Sequence, residues 1–267
     1  MYKMVAIDMD GTLLRTDRTI SERTKKTIEK AIAKGVKIVL ASGRPMDGIE
    51  KYLQELNLVS EEDYVIGFNG ALVQNIKTRE IIKTNVLNGK DLSYLYNLSK
   101  EIGVNVHAFT QKGCITPKMS KYSKQEGTMN GIPVDVIDFN HIAEDEEIIK
   151  FMMVDEPEVL SQAITELPSE VYDRYTVVQS TPYFLEFLNK KANKGEAVKA
   201  LAEHLNISSK EIMCIGDAGN DAHMIEYAGL GVAMGNAFEE IKEMADYITH
   251  SNEEDGVARA IEKFIVA

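Results

Sequence analysis

Tryptophan is absent, and only two cysteines and six prolines occur in the 267 residues. Two cysteines, Cys114 and Cys214, cannot form the disulfide framework of a small secreted scaffold. Cys214 lies in the apolar run Ile212-Met213-Cys214-Ile215 with no cation beside it, which reads as a small buried hydrophobe and not a reactive thiolate. Positive charge is also in short supply: 30 lysines and arginines face 42 aspartates and glutamates, leaving a formal charge of −12. Nucleic-acid affinity rests largely on cations that neutralise phosphates. With no basic cluster and no interleaved aromatic stripe, no nucleic-acid partner is expected. No apolar stretch approaches the roughly 20 residues that span a bilayer, and Met1-Tyr2-Lys3 leads straight into a strand-like run with no secretory leader. The expectation is therefore no membrane association and a cytoplasmic location. The five histidines (His107, His141, His204, His223, His250) are scattered and form no ligand-spaced pair.

The remaining composition is that of an ordinary globular chain, 44% apolar and 27% charged, long enough for one large domain or two modest ones. Short apolar runs at Met4–Ile7, Val36–Leu40, Tyr64–Phe68, Ile212–Ile215 and Leu230–Met234 are continuous, as in strands buried on both faces. A weaker run lies at Tyr247–Ile248. Helical patterns fall between them: Thr24–Ala33 behind a Ser21 cap and before Gly35, a helix opened by Pro45 through Leu56, then Glu196–Leu205, Ala222–Ala228, Phe238–Met244 and Val257–Phe264. Strands alternating with helices predict an α/β fold with a doubly wound, mostly parallel sheet.

The alternation breaks between residues 84 and 187. There a helix (Lys90–Ile102), strands near Val104–Phe109 and Ile149–Val154, a helix near Glu158–Glu166 and a hairpin (Tyr175–Ser180, Phe184–Leu188) succeed one another as in α+β architectures. The expected organisation is a core of residues 1–83 and 188–267 with residues 84–187 inserted as a second, α+β domain.

Ligands in open parallel sheets bind outside the carboxyl ends of the strands. Three of those ends are polar: Asp8-Met9-Asp10-Gly11-Thr12, Ala41-Ser42-Gly43-Arg44-Pro45 and Gly216-Asp217-Ala218-Gly219-Asn220-Asp221. Taken singly, each is also a reasonable turn or helix cap. Taken together, with Lys194 opening a helix, they gather carboxylates, a phosphate-binding loop and a lysine, which folding alone does not require. Four acidic side chains held close destabilise a core unless a cation binds. Oxygen ligands without His or Cys suit Mg²⁺. On this reading Asp8 and Asp217 ligate it through carboxylates and Asp10 through its main-chain carbonyl, while Asp221 supports waters or Lys194. The Ser42 hydroxyl and Gly43 amide, at a helix N-terminus, hydrogen-bond the phosphate.

These segments resemble the four motifs of the haloacid dehalogenase-like superfamily, in particular its Cof-type (type IIB) phosphatases. Asp8-Met9-Asp10-Gly11-Thr12-Leu13-Leu14 is similar to the first motif and Ser42-Gly43-Arg44-Pro45 to the second. Asn193-Lys194-Gly195 is similar to the third and Gly216–Asp221 to the fourth. Phe68-Asn69-Gly70-Ala71 is a further family-like segment, and Ala218 departs from the polar residue usual at that position. The resemblance spans essentially the whole chain. It implies a phosphatase in which Asp8 is the nucleophile that becomes an aspartyl-phosphate and Asp10 is the general acid and base. It further implies that Met9, Ser42, Gly43, Lys194 and Asn220 hold the phosphate or substrate, with Asp221, Arg44 and Asn69 in support. Arg44 either contacts substrate or pairs with a carboxylate. The inserted domain corresponds to a cap that sets specificity. The expected substrate is a small phosphorylated metabolite, such as a sugar phosphate or a flavin or pyridoxal phosphate. A phosphomutase shares the aspartyl-phosphate chemistry, and a phospho-receiver shares the acidic cluster and lysine, although Asp10 and the insertion argue against the receiver.

Overall fold

Met4 and Ala6 face one side of their strand and Val5 and Ile7 the other, and all four are fully buried. Such a strand has no solvent side, so apolar layers must cover both of its faces. In the computed structural model, which describes residues 2–267, they do. Val5 and Ile7 pack in one cluster with Ile28 and Ala31 of the helix Glu22–Ala33 and with Ile261. Met4 and Ala6 pack in another with Ala197, Val198 and Leu201 of the helix Lys194–His204. Full burial of one such aliphatic side chain contributes about 1.5–3 kcal/mol, so the two clusters anchor the middle of the sheet.

The chain divides into two compact units, one running to Thr84 and resuming at Asn193, the other spanning Asn85–Ala192. In the first, an eight-stranded sheet runs in the order Tyr247–Ile248, Leu230–Ala233, Ile212–Gly216, Met4–Asp8, Lys37–Ala41, Tyr64–Gly67, Leu72–Asn75, Ile81–Thr84. The first six strands are parallel. The fold is therefore the expected α/β arrangement with a doubly wound parallel sheet. From Met4–Asp8 the chain winds one way to Lys37–Ala41 and later returns on the opposite side at Ile212–Gly216. That reversal is the topological switch point where open sheets bind ligands.

One local expectation needs correction. Pro45 does not open its helix: it is extended (ψ 159°) and caps the helix Met46–Glu55 from outside. The hairpin Leu72–Asn75/Ile81–Thr84, antiparallel at the edge, was not expected from the sequence. Gln74, Asn75, Lys83 and Thr84 break its apolar signal, and its outer strand is largely open to water.

The second unit has a six-stranded sheet in the order Tyr175–Thr181, Phe184–Asn189, Lys150–Val154, Asn105–Thr110, Gly113–Thr116, Val134–Val136. Only the last pair is parallel. One face is covered by apolar side chains of the helices Gly89–Ile102 and Pro157–Glu166. Among the described residues no helix is long and apolar enough to cross a membrane.

Candidate active site

Asp8 ends the first strand, and its carboxylate is buried. Lys194 is the first residue of its helix, behind an Asn193 cap that accepts the Glu196 amide at 2.8 Å, and its side chain is fully buried. A buried ammonium needs anionic partners. The Lys194 Nζ donates to Asp8 Oδ1 and, at 2.6 Å, to Asp221 Oδ1. The other oxygen of Asp221 accepts the amides of Asp217 (3.0 Å) and Ala218 (3.1 Å). With both oxygens engaged by protein donors, Asp221 holds Lys194 and the loop together. Asp8 and Asp217 are left as the carboxylates available to an ion.

One oxygen from each of Asp8, Asp217 and Asp221 lies within 4.8 Å of the others. Three carboxylates against the single ammonium of Lys194 leave two negative charges in excess. Burial first, then Asp221, pushes the Asp8 carboxyl well above the usual carboxylate range, although Lys194 pulls the other way. Burial likewise raises Asp217 to about 6, opposed by a hydrogen bond from Thr12. Burial works against the Lys194 ammonium, but Asp8 and Asp221 outweigh it and the net shift is upward. The donor set is all oxygen and its surplus charge matches one divalent ion, so these residues fit Mg²⁺.

Asp10 is not one of the clustered carboxylates. Its carboxylate is exposed and both oxygens are engaged by Arg44, Nε to Oδ2 at 2.7 Å and a terminal nitrogen to Oδ1 at 2.5 Å. Of the two roles open to Arg44 in the sequence, the structure shows pairing with a carboxylate, and that carboxylate is Asp10. Met9 sits between the aspartates with its side chain fully buried in the core, so only its backbone can face a ligand.

Ser42 is buried, its Oγ accepting the Arg44 amide at 3.2 Å, which leaves the hydroxyl proton available. Because the helix begins only at Met46, Ser42 and Gly43 belong to the loop before it and not to a first helical turn. The phosphate donors expected at a helix N-terminus are thus loop groups. Asn69 meets this loop through its amide, which donates to the Ser42 carbonyl at 2.9 Å. Its Oδ1 accepts the Nδ2 of Asn220, itself exposed in the short turn Gly219–Asp221.

Three residues were not singled out from the sequence. Thr12 is buried and donates its hydroxyl to Asp217 Oδ1 at 2.9 Å. Gly11, at φ 87°, approaches Asp217 so closely that a Cβ there would lie 2.4 Å from the carboxylate. Asn236 donates to the Gly11 carbonyl at 2.8 Å. Asn236 follows the strand Leu230–Ala233, and the strand-end rule would have found it had it been applied to that strand.

This geometry is that of a known class. The model of the haloacid dehalogenase-like hydrolases matches residues 5–261. YxeH of Bacillus subtilis, provisionally named a phosphatase, is 46% identical over 269 residues, covering 100% of both chains. YcsE of the same organism, named a 5-amino-6-(5-phospho-D-ribitylamino)uracil phosphatase, is 31% identical over 99% of this chain and 96% of its own. The solved structure of a subclass IIB sugar phosphatase of the superfamily superposes with a TM-score of 0.80 at 27% identity, covering 99% of this chain and 100% of that one. The chain belongs to the haloacid dehalogenase-like hydrolases, in their Cof-type branch. Within that family it is a phosphatase, a hydrolase of phosphoric monoesters.

Proposed function

We propose that the chain is a Mg²⁺-dependent phosphatase that hydrolyses phosphate monoesters of small metabolites through an aspartyl-phosphate on Asp8. The observation that carries this reading is the buried Asp8–Lys194–Asp221 network with Asp217 beside it, two negative charges in excess at the switch point of the sheet. Asp8 and Asp217 would hold the ion through carboxylates and Asp10 through its main-chain carbonyl. When bound, Mg²⁺ supplies the positive charge that lets a phosphate dianion approach a carboxylate.

The protein's own groups do the rest. Lys194 fixes the orientation of the Asp8 carboxylate and adds positive charge to the site. The Ser42 hydroxyl, the Gly43 amide and Asn220 receive the phosphate oxygens. Asp8 forms the new O–P bond as the ester O–P bond breaks, and the leaving oxygen takes a proton from Asp10. Asp10, now a carboxylate, takes a proton from water as that water attacks phosphorus. As that bond forms the Asp8 O–P bond breaks, so inorganic phosphate leaves and the Asp8 carboxylate is restored. A proton on Asp10 neutralises the carboxylate, so its charge-assisted fork with Arg44 weakens during turnover.

For substrates, the similarity to a 5-amino-6-(5-phospho-D-ribitylamino)uracil phosphatase and to a sugar phosphatase supports phosphorylated cofactors or their precursors, and sugar phosphates. The inserted unit, Asn85–Ala192, is the part proposed to set the choice among them. A panel of such monoesters assayed for free phosphate, with Mg²⁺ and then in excess chelator, tests the reading. Release from one or more esters that stops in chelator and returns with Mg²⁺ is expected. Release from none, or release undiminished by chelation, would overturn it. Stoichiometric retention of the phosphoryl group without release would favour a phosphotransferase or receiver.

A further inference from the structure

Three consecutive residues follow left-handed backbone: Phe68 at φ 51°, Asn69 at φ 55° and Gly70 at φ 92°. L-residues enter that region singly and at a cost, and runs are rare. Such strain persists only where the surroundings hold it, and it gathers at ligand sites. Here the surroundings are the site itself. The Phe68 amide donates to the Arg44 carbonyl at 3.1 Å and the Asn69 amide to the Ser42 carbonyl at 2.9 Å. Gly70 abuts the start of the Lys194 helix, where a Cβ would lie 2.2 Å from the Asn193 carbonyl oxygen and 3.0 Å from the Lys194 nitrogen. Asn69 Oδ1 receives Asn220 Nδ2 at 3.0 Å. One short turn thus touches the serine loop, the lysine helix and the Gly219–Asp221 turn.

The choice of residue at 69 is informative. A turn that needed only left-handed backbone would be served by glycine at no steric cost, as at position 70. Asparagine is the costlier choice, and what its side chain adds is the bond to Asn220. The Asn69 amide group also lies against Gly43, where a Cβ would meet its Nδ2 and Oδ1 at 3.1 Å. We propose that Asn69 is a positioning residue for phosphate, its side chain holding Asn220 in register with Ser42 and Gly43. The inference rests on the phosphatase reading for what is being positioned. The backbone of the turn serves the fold, and the Asn69 side chain serves the phosphate by holding Asn220.

Asparagine also tolerates left-handed backbone better than most residues, so the test must separate tolerance from use. Asn69→Gly removes the side chain while easing the backbone, so thermal stability should stay within about 2 °C of wild type. Misplaced donors cost orientation, so kcat/KM should fall about 10-fold, and the dissociation constant for inorganic phosphate with Mg²⁺ should rise about 5-fold. If Asn69 acts through Asn220, the Asn69→Gly/Asn220→Ala double variant should be no worse than Asn220→Ala alone. Phosphate affinity and turnover within twofold of wild type in Asn69→Gly would overturn the proposal. So would losses that multiply in the double variant, or a large loss of thermal stability. If the wild type releases phosphate from no ester, the phosphatase reading fails, while the phosphate titration still decides the role of Asn69.

Discussion

Replacing Lys194 by methionine isolates the electrostatics of the site. Methionine keeps an unbranched stem of similar length, so little packing is lost and the main change is removal of the ammonium. That ammonium is fully buried between Asp8 and Asp221, with Asp217 close by. Removing one partner from a buried ion network leaves uncompensated charge and costs about 3–5 kcal/mol. For a unit of this size each kcal/mol shifts the melting temperature by about 2–4 °C, so a loss of roughly 10 °C is expected. The measurement is calorimetry at pH 8 in chelator, which excludes metal. The loss should shrink toward acid pH, because burial and Asp221 already push Asp8 upward and protonation discharges it. A Lys194→Met protein that melts within about 3 °C of wild type at pH 8 would refute the reasoning.

Asp217 bears on metal linkage. Its carboxyl is raised to about 6 against an unfolded value near 4, so its contribution is present at acid pH and is lost as pH rises through about 6. In chelator, Asp217→Asn should match wild type at pH 4 and exceed it by about 1–2 kcal/mol at pH 8, a figure discounted for partial exposure. Adding Mg²⁺ should stabilise wild type more than the variant, and denaturation curves at the two pH values check both. Arg44→Ala frees both Asp10 oxygens from their fork. Turnover of an alkyl phosphate, whose leaving group needs the Asp10 proton, should fall about 10-fold more than that of p-nitrophenyl phosphate. Equal losses on the two esters would place Arg44 outside the proton-transfer step.

The parts of the site legible in the sequence were those that strand-end logic could reach. Asp8, Ser42 and Asp217 each follow an apolar run, and in the structure they stand at the carboxyl ends of three adjacent strands in the middle of the sheet. Partner choice was not legible. Whether Arg44 meets substrate or Asp10 depends on a side-chain approach across 34 residues, which local pattern does not encode. Thr12 was visible in the first motif, but nothing local showed that its hydroxyl would reach Asp217, 205 residues on. In the inserted unit, the helix Lys121–Asn130 escaped notice because its apolar face is weak and Gly127 interrupts it. That glycine has a tertiary reason, since a Cβ there would lie 2.9 Å from the Ile132 carbonyl oxygen.

The central claim is a covalent phosphoryl group on Asp8, and Asp10→Asn tests it with p-nitrophenyl phosphate. Nitrophenolate is a good leaving group, so the first step should survive without the Asp10 proton, while hydrolysis of the intermediate, which needs Asp10 as a base, should slow. Stopped-flow mixing with Mg²⁺ should show a burst of about one nitrophenolate per site followed by a slow steady rate. An acid quench and peptide mass analysis should then place the phosphoryl group on the peptide containing Asp8. A linear trace with no burst and no phosphoryl group at Asp8, at undiminished turnover, would contradict the account.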